Sequence, residues 1–113
     1  MVSALLLSLV ALADIFVKDE KSYSGPYLYL YAYIEGWLEQ DSYGCLTGWI
    51  YGIKGYGGGS IYSPASGKID VKNPPSVAYG EAKTEVYGEA YINGKLVDKG
   101  SAIASISSIP GAC

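Results

Sequence analysis

The feature that most restricts this chain is the run YLYLYAYIEGWL at residues 27–38. Its even positions hold Leu28, Leu30, Ala32, Ile34, Gly36 and Leu38. Its odd positions hold Tyr27, Tyr29, Tyr31, Tyr33, Glu35 and Trp37. A period of two kept up this long is the pattern of a strand with an aliphatic face turned inward and a tyrosine face turned outward. A helix would mix the two sets around its circumference.

The alternation recurs downstream. Residues 43–54 place Tyr43, Cys45, Thr47, Trp49, Tyr51 and Ile53 on one face, with Gly44, Leu46, Gly48, Ile50 and Gly52 on the other. Glycines at every second place point to close backbone approach or to aromatic rings lying across them. Residues 55–59, GYGGG, read as a flexible loop, with short strand pieces at residues 61–62 and 68–71. Asn73-Pro74-Pro75 is a breaker.

Residues 77–92 alternate without interruption, and the YGEA copies at residues 79–82 and 87–90 fall on the same faces of that one predicted strand. Asn93-Gly94 then supplies a two-residue type I′ hairpin, with residues 95–109 as the returning strand. A regular hairpin there sets Tyr91 opposite Leu96, Ala90 opposite Val97 and Thr84 opposite Ile103. It also sets Glu89 opposite Asp98, an unfavourable like-charge pair that calls for a register shift, a bulge or a bound cation. About seven strands separated by turn signals predict an all-β fold, a β-sandwich of jelly-roll-like or immunoglobulin-like outline. High Gly (15) and Tyr (12) with few charged residues (17%) favour that class over a helical bundle. A chain of 113 residues makes one domain.

The N-terminal part, residues 1–17, is apolar, and its first thirteen residues carry no charge. That stretch is shorter than the roughly 20 residues a transmembrane helix needs, so no membrane span is expected in the mature protein. It has the length of a signal-peptide core, and Ala11-Leu12-Ala13 resembles a cleavage site, but no positive charge precedes it. Retained, it must be covered, since a strand buried on both faces reads as a continuous apolar run. Three covers are open: the domain's own core, a neighbouring copy that it completes as a donor strand, or a membrane surface. The polar stretch Lys18-Asp19-Glu20-Lys21-Ser22 marks a break, with the β-sandwich domain taken as residues 18–113.

Chemistry is hard to find. The chain has no His and no Arg, which removes the ordinary general base near neutral pH, imidazole metal ligands and bidentate phosphate clamps. A net charge of −3 also argues against nucleic acid as a partner. Glu81, Glu85 and Glu89 share a strand face, but a spacing of four puts neighbours about 13 Å apart, too far for a glycosidase pair. A solvated face is the better reading. Asp14, Asp19 and Glu20 could meet at a cation, although no calcium-loop pattern is present. No metal or cofactor is expected, and the chain does not read as an enzyme. Cys45 and Cys113 fit no zinc spacing; they are either a disulfide tying the C-terminus to mid-chain or two buried thiols. The aromatic surface of Tyr27, Tyr29, Tyr31, Tyr33 and Trp37 has three readings: packing under the domain's own loops, subunit contact, or a glycan platform.

Residues 11–36, ALADIFVKDEKSYSGPYLYLYAYIEG, resemble the start of TasA/camelysin-type biofilm fibre proteins and archaeal bundling-pilus subunits. There an apolar segment runs into an aromatic and acidic element, then a polar turn, then a strand of alternating Leu. Ala13, Phe16, Asp19 and Glu20 stand in the places of that element. The resemblance implies a jelly-roll-like subunit of an extracellular or cell-surface filament, a pilus or biofilm-matrix fibre. Such a subunit self-assembles into a homopolymer by donor-strand complementation. The inserting residues would be Val2, Leu5, Leu7, Leu9, Val10 and Leu12. Protease activity, ascribed to camelysin, is not carried over, because HExxH is absent. A secreted carbohydrate-binding or adhesive module is the alternative, and a virion structural protein a third.

Overall fold

The computed structural model describes residues 13–113. Seven strands form two antiparallel sheets stacked as a β-sandwich, with no helix among the described residues. They are β1 (Ile15–Ser24), β2 (Leu28–Gln40), β3 (Leu46–Ile61), β4 (Ser66–Lys72), β5 (Ala78–Tyr79), β6 (Glu81–Ile92) and β7 (Lys95–Ser107). One sheet runs β1-β2-β3-β5 and the other β4-β6-β7. The candidate donor residues Val2, Leu5, Leu7, Leu9, Val10 and Leu12 lie outside the described residues.

β2 is the strand its alternation predicts. Leu28, Leu30 and Ile34 have no exposed surface, and Ala32 and Leu38 are buried beside them. They pack against Ile50 and Ile53 of β3, Ala82 and Val86 of β6, and Ala102, Ala104 and Ile106 of β7. Small residues on the facing sheet let the two layers approach, with the larger aliphatic side chains of β2 filling the space between. Each fully buried Leu or Ile contributes roughly 1.5–3 kcal/mol by removal from water.

Several local expectations need correction. The polar stretch at residues 18–22 is the middle of β1, which starts at Ile15 inside the apolar segment. As the outermost strand of its sheet, β1 pairs only with β2. Its charged side chains lie at the sandwich rim and stay largely solvated, while Val17 and Tyr23 pack against the core. The glycine-rich residues 55–59 are not a loop but part of β3, paired through Gly57↔Ala32, Gly58↔Tyr31 and Gly59↔Leu30. A Cβ at Gly57 or Gly59 would strike the side chain of Val86 or the carbonyl of Tyr29, so glycine here answers close packing rather than mobility.

The predicted strand at residues 77–92 is two strands. Gly80, at φ +85°, carries the chain from β5 in one sheet to β6 in the other. Tyr79 therefore belongs to a different sheet from Tyr87, whereas Glu81 and Ala82 keep the same faces of β6 as Glu89 and Ala90. β3 begins at Leu46 rather than at residue 43, and its alternation is reset at Gly52 (φ +59°), which is why Ile50 and Ile53 both point into the core. The register shift between Glu35 and Trp37 marks this bulge.

The β6–β7 hairpin turns at Asn93 and Gly94, both at positive φ, as a type I′ turn requires. Tyr91 lies opposite Leu96 as expected, but an extra residue at Val97 shifts everything beyond. Ala90 now faces Asp98, Thr84 faces Ala104, and Glu89 faces Lys99 with their charges 4.0 Å apart. The bulge removes the Glu89–Asp98 clash and turns Asp98 inward.

Asp98 is 7% exposed. It accepts a hydrogen bond from the Tyr23 hydroxyl at 2.6 Å and from the Tyr27 N–H at 2.9 Å. Gly25 sits so close that a Cβ there would strike the carboxylate. The β1–β2 turn is thereby fastened onto β7. The hydroxyl of Tyr23 and the amide of Tyr27 hold the Asp98 carboxyl below its usual pKa despite burial, and the same bond raises that of Tyr23.

Candidate functional site

The outer face of the β1-β2-β3 sheet follows from the parity of β2. With Leu28, Leu30 and Ile34 inward, Tyr29, Tyr31, Tyr33, Glu35 and Trp37 face outward. Cross-strand partners extend the rows. Phe16 and Tyr51 flank Trp37, Lys18 and Lys54 flank Glu35, Glu20 and Tyr56 flank Tyr33, and Ser22 and Gly58 flank Tyr31. Tyr27 precedes β2, donates its N–H to Asp98 and accepts from the N–H of Tyr62.

The rings contact one another. Tyr33 stacks on Tyr56 with centroids 4.9 Å apart, Phe16 meets Trp37 edge-on at 5.1 Å, and Trp49 meets Tyr79 edge-on at 5.1 Å. Glycine floors lie beneath three of them. A Cβ on Gly58 would come 3.1 Å from the Tyr31 hydroxyl, one on Gly52 3.1 Å from Trp37, and one on Gly48 2.7 Å from Tyr79. Aromatic rings crossing the Gly48 and Gly52 backbone is the arrangement their spacing predicts.

In the middle of this face lies an open depression of about 650 Å³, lined by Glu20, Lys21, Ser22, Tyr29, Tyr31, Tyr33 and Tyr56. It offers ring faces with a carboxylate, an ammonium and a hydroxyl at its margin. The Tyr33 hydroxyl donates to Glu35, and Tyr51 donates to Asp14. These bonds raise both phenol pKa values, so the two rings remain neutral donors across the physiological range.

The sequence-level candidates separate on the structure. Cys45 and Cys113 form a disulfide. The tail beside it pairs with β3: the Leu46 N–H donates to the Ala112 carbonyl and the Gly111 N–H to the Leu46 carbonyl, each at 2.7 Å. Asp14, Asp19 and Glu20 do not converge. Asp14 accepts from the Gln40 N–H and from Tyr51, whereas Asp19 is bound by Lys21 and by the Ser105 N–H. The Lys21 ammonium and the Ser105 amide together lower the Asp19 pKa.

Glu81, Glu85 and Glu89 share the outer face of the second sheet. There they meet Lys83, the Tyr87 hydroxyl and Lys99 respectively, a solvated, charge-paired surface. The sandwich thus has an aromatic outer face and a charged one.

Tyr56 and Phe16 were not identifiable as members of the aromatic face from the sequence, since one stood in an apparent loop and the other in an apolar run. The signal that was available is the Gly-Tyr-Gly alternation itself, which fits a strand opposite bulky rings. Among the described residues, no helix is long and apolar enough to cross a membrane. Comparison with protein-family models, with curated proteins and with solved structures finds no match to this chain.

Proposed function

We propose that this chain is the structural subunit of an extracellular filament, joined to its neighbours by an N-terminal strand donated from one copy to the next. One observation carries the reading. Among the described residues the core is built from side chains of β2, β3, β6 and β7, while the sequence places thirteen uncharged, mostly apolar residues ahead of Asp14. A run of that kind needs cover on both faces. Strand addition would provide main-chain hydrogen bonds and side-chain pockets together. A head-to-tail contact that does not close extends into a fibre. The disulfide is compatible with an oxidising, extracellular setting.

The test is negative-stain electron microscopy of the full-length protein beside a variant lacking residues 1–13. Filaments are expected only when the segment is present. Monodisperse particles in both samples would sink the reading.

The depression on the tyrosine face favours a second reading, a secreted glycan-binding module. Sugar rings pack their C–H faces on aromatic rings, with polar groups at the rim fixing orientation. On this reading, Tyr31→Ala abolishes retention on immobilised glycans while removal of residues 1–13 leaves it intact. Equal retention of both variants would exclude Tyr31 as the platform.

A further inference from the structure

The outer margins of the sandwich are not alike. β1 carries Lys18, Asp19, Glu20 and Lys21, and it is tied to β7 by the Ser105 N–H donating to Asp19 at 2.9 Å. β7 itself carries Lys95 and Lys99, and β4 carries Lys68, Asp70 and Lys72. Charges of this kind discourage pairing with a foreign strand. The last seven residues of β3, residues 55–61 (GYGGGSI), have no charge at all.

That stretch is also open. β5 pairs with β3 only at Trp49 and Ile50, and the Ile53 N–H donates to the Ser76 carbonyl at 3.1 Å. Tyr62 donates its N–H in the opposite direction, to Tyr27 on the β2 side. The alternation between these two bonds turns the N–H and C=O groups of Gly55, Gly57, Gly59 and Ile61 away from β2. Among the described residues, no backbone hydrogen bond reaches them from that side.

The side chains at this margin match. Ile61 and Ile69 reach the core from the rim and remain partly accessible. Val71, opposite the fully buried Val86 and on the same face, is 37% exposed. On the outside of the same edge, Tyr56 is 57% exposed. A strand added here would find apolar surface for both of its side-chain rows.

We infer that the margin between β3 and β4 is the acceptor for residues 1–12 of another copy of this chain. The inference rests on the strand-donation reading above and names the surface it requires. The edge is about 23 Å long, and twelve extended residues reach about 40 Å. Their uncharged, two-faced apolar character fits a slot with apolar surface on both sides. In sequence the segment joins β1, which lies across β2 from the open edge, so docking on a second copy is head to tail.

The test uses two full-length populations with different tags, one carrying Ser8→Cys and the other Ser60→Cys, mixed without reductant. Mixed-tag disulfide dimers are expected. Val71→Lys, which places a charge in the slot, is expected to abolish filaments, and Val71→Ile to leave them. Thermal melts check that both variants remain folded. Filaments that survive Val71→Lys and yield no mixed-tag dimer overturn the acceptor while leaving the polymer reading standing. A Ser8→Cys/Ser60→Cys double variant whose cross-link stays within single chains would show the segment folded back on its own domain, which overturns the inference. Full-length protein that forms neither filaments nor mixed dimers overturns the polymer reading and this inference with it.

Discussion

Asp98 is the residue on which most depends, because one buried carboxylate joins β7 to the β1–β2 turn. Its folded pKa lies below the ordinary value of 3.8. Its contribution is therefore complete above that value and is lost as pH falls through the folded one. Asp19 acts in the same sense. At the other end of the scale, Tyr23, Tyr33, Tyr51, Tyr87 and Tyr91 all have pKa values raised above 10.0. Their contribution is present below pH 10.0 and is lost as pH rises through the folded values. Melting temperature should form a plateau between these limits and fall on both sides. Asp98→Asn should melt lower than wild type at pH 7, with the gap closing as the pH is taken down to 2. Circular dichroism melts across that range provide the check, and a gap unchanged at pH 2 would contradict the assignment.

Neighbouring glycines should also behave differently. Gly57→Ala drives a methyl into Val86 and the Tyr31 carbonyl, and overpacking of that kind costs about 1–3 kcal/mol. Gly58→Ala meets only the tip of the Tyr31 ring, which can swing aside, and should cost less than about 1 kcal/mol. Urea midpoints of the two variants distinguish them.

At the scale of elements, what could be read in advance was whatever depends on side-chain period. β2 was legible because each Leu and each Tyr along it obeys one rule, and the β6–β7 turn because Asn-Gly has a backbone preference of its own. The break at Gly80 was invisible, since alternation continues in register through residues 77–92 while the strand changes sheets. A single positive φ redirects the chain without altering the pattern. Gly80→Val should expose that dependence, costing about 1–3 kcal/mol in strain, measurable by denaturant unfolding. The bulge at Val97 was legible only as a conflict between Glu89 and Asp98, and the structure resolves it by inserting a residue. The glycine-rich half of β3 read as a loop because composition carries no information about Val86 and β2 pressing from either side. The tyrosine face was half legible for the same reason. Its central row lies on β2, and its flanking rows come from strands whose own patterns are interrupted.

For the whole molecule, the sandwich separates three surfaces: an aromatic face, a charged face, and rims that differ in charge. The disulfide spans 68 residues, enclosing β3 through β7. Closing a loop of that length in the unfolded chain contributes about 4 kcal/mol in the chain-entropy description. Cys113→Ser should therefore lower the urea midpoint substantially without altering the circular dichroism spectrum of the folded state. A midpoint shift of less than about 1 kcal/mol equivalent would show that the tail ladder at Leu46 already does the work of the covalent bond.

The same cross-link dictates how the subunit would bear tension. Asp14 is held at Gln40, and Cys113 is bonded to Cys45 beyond the neighbouring turn, so both ends of the described chain emerge at one pole of the sandwich. A pull between them enters through β1 at one end and, at the other, passes through the sulfur bridge directly to the β2–β3 turn. β3 to β7 are bypassed. In a single-molecule stretching experiment only the roughly thirty residues ahead of Cys45 can pay out, a slack of about 110 Å at full extension. Under reducing conditions the remaining strands would join the load path and the extension would grow about threefold. A fibre of such units would yield by peeling one hairpin per subunit and would keep the rest of each domain folded as a reserve.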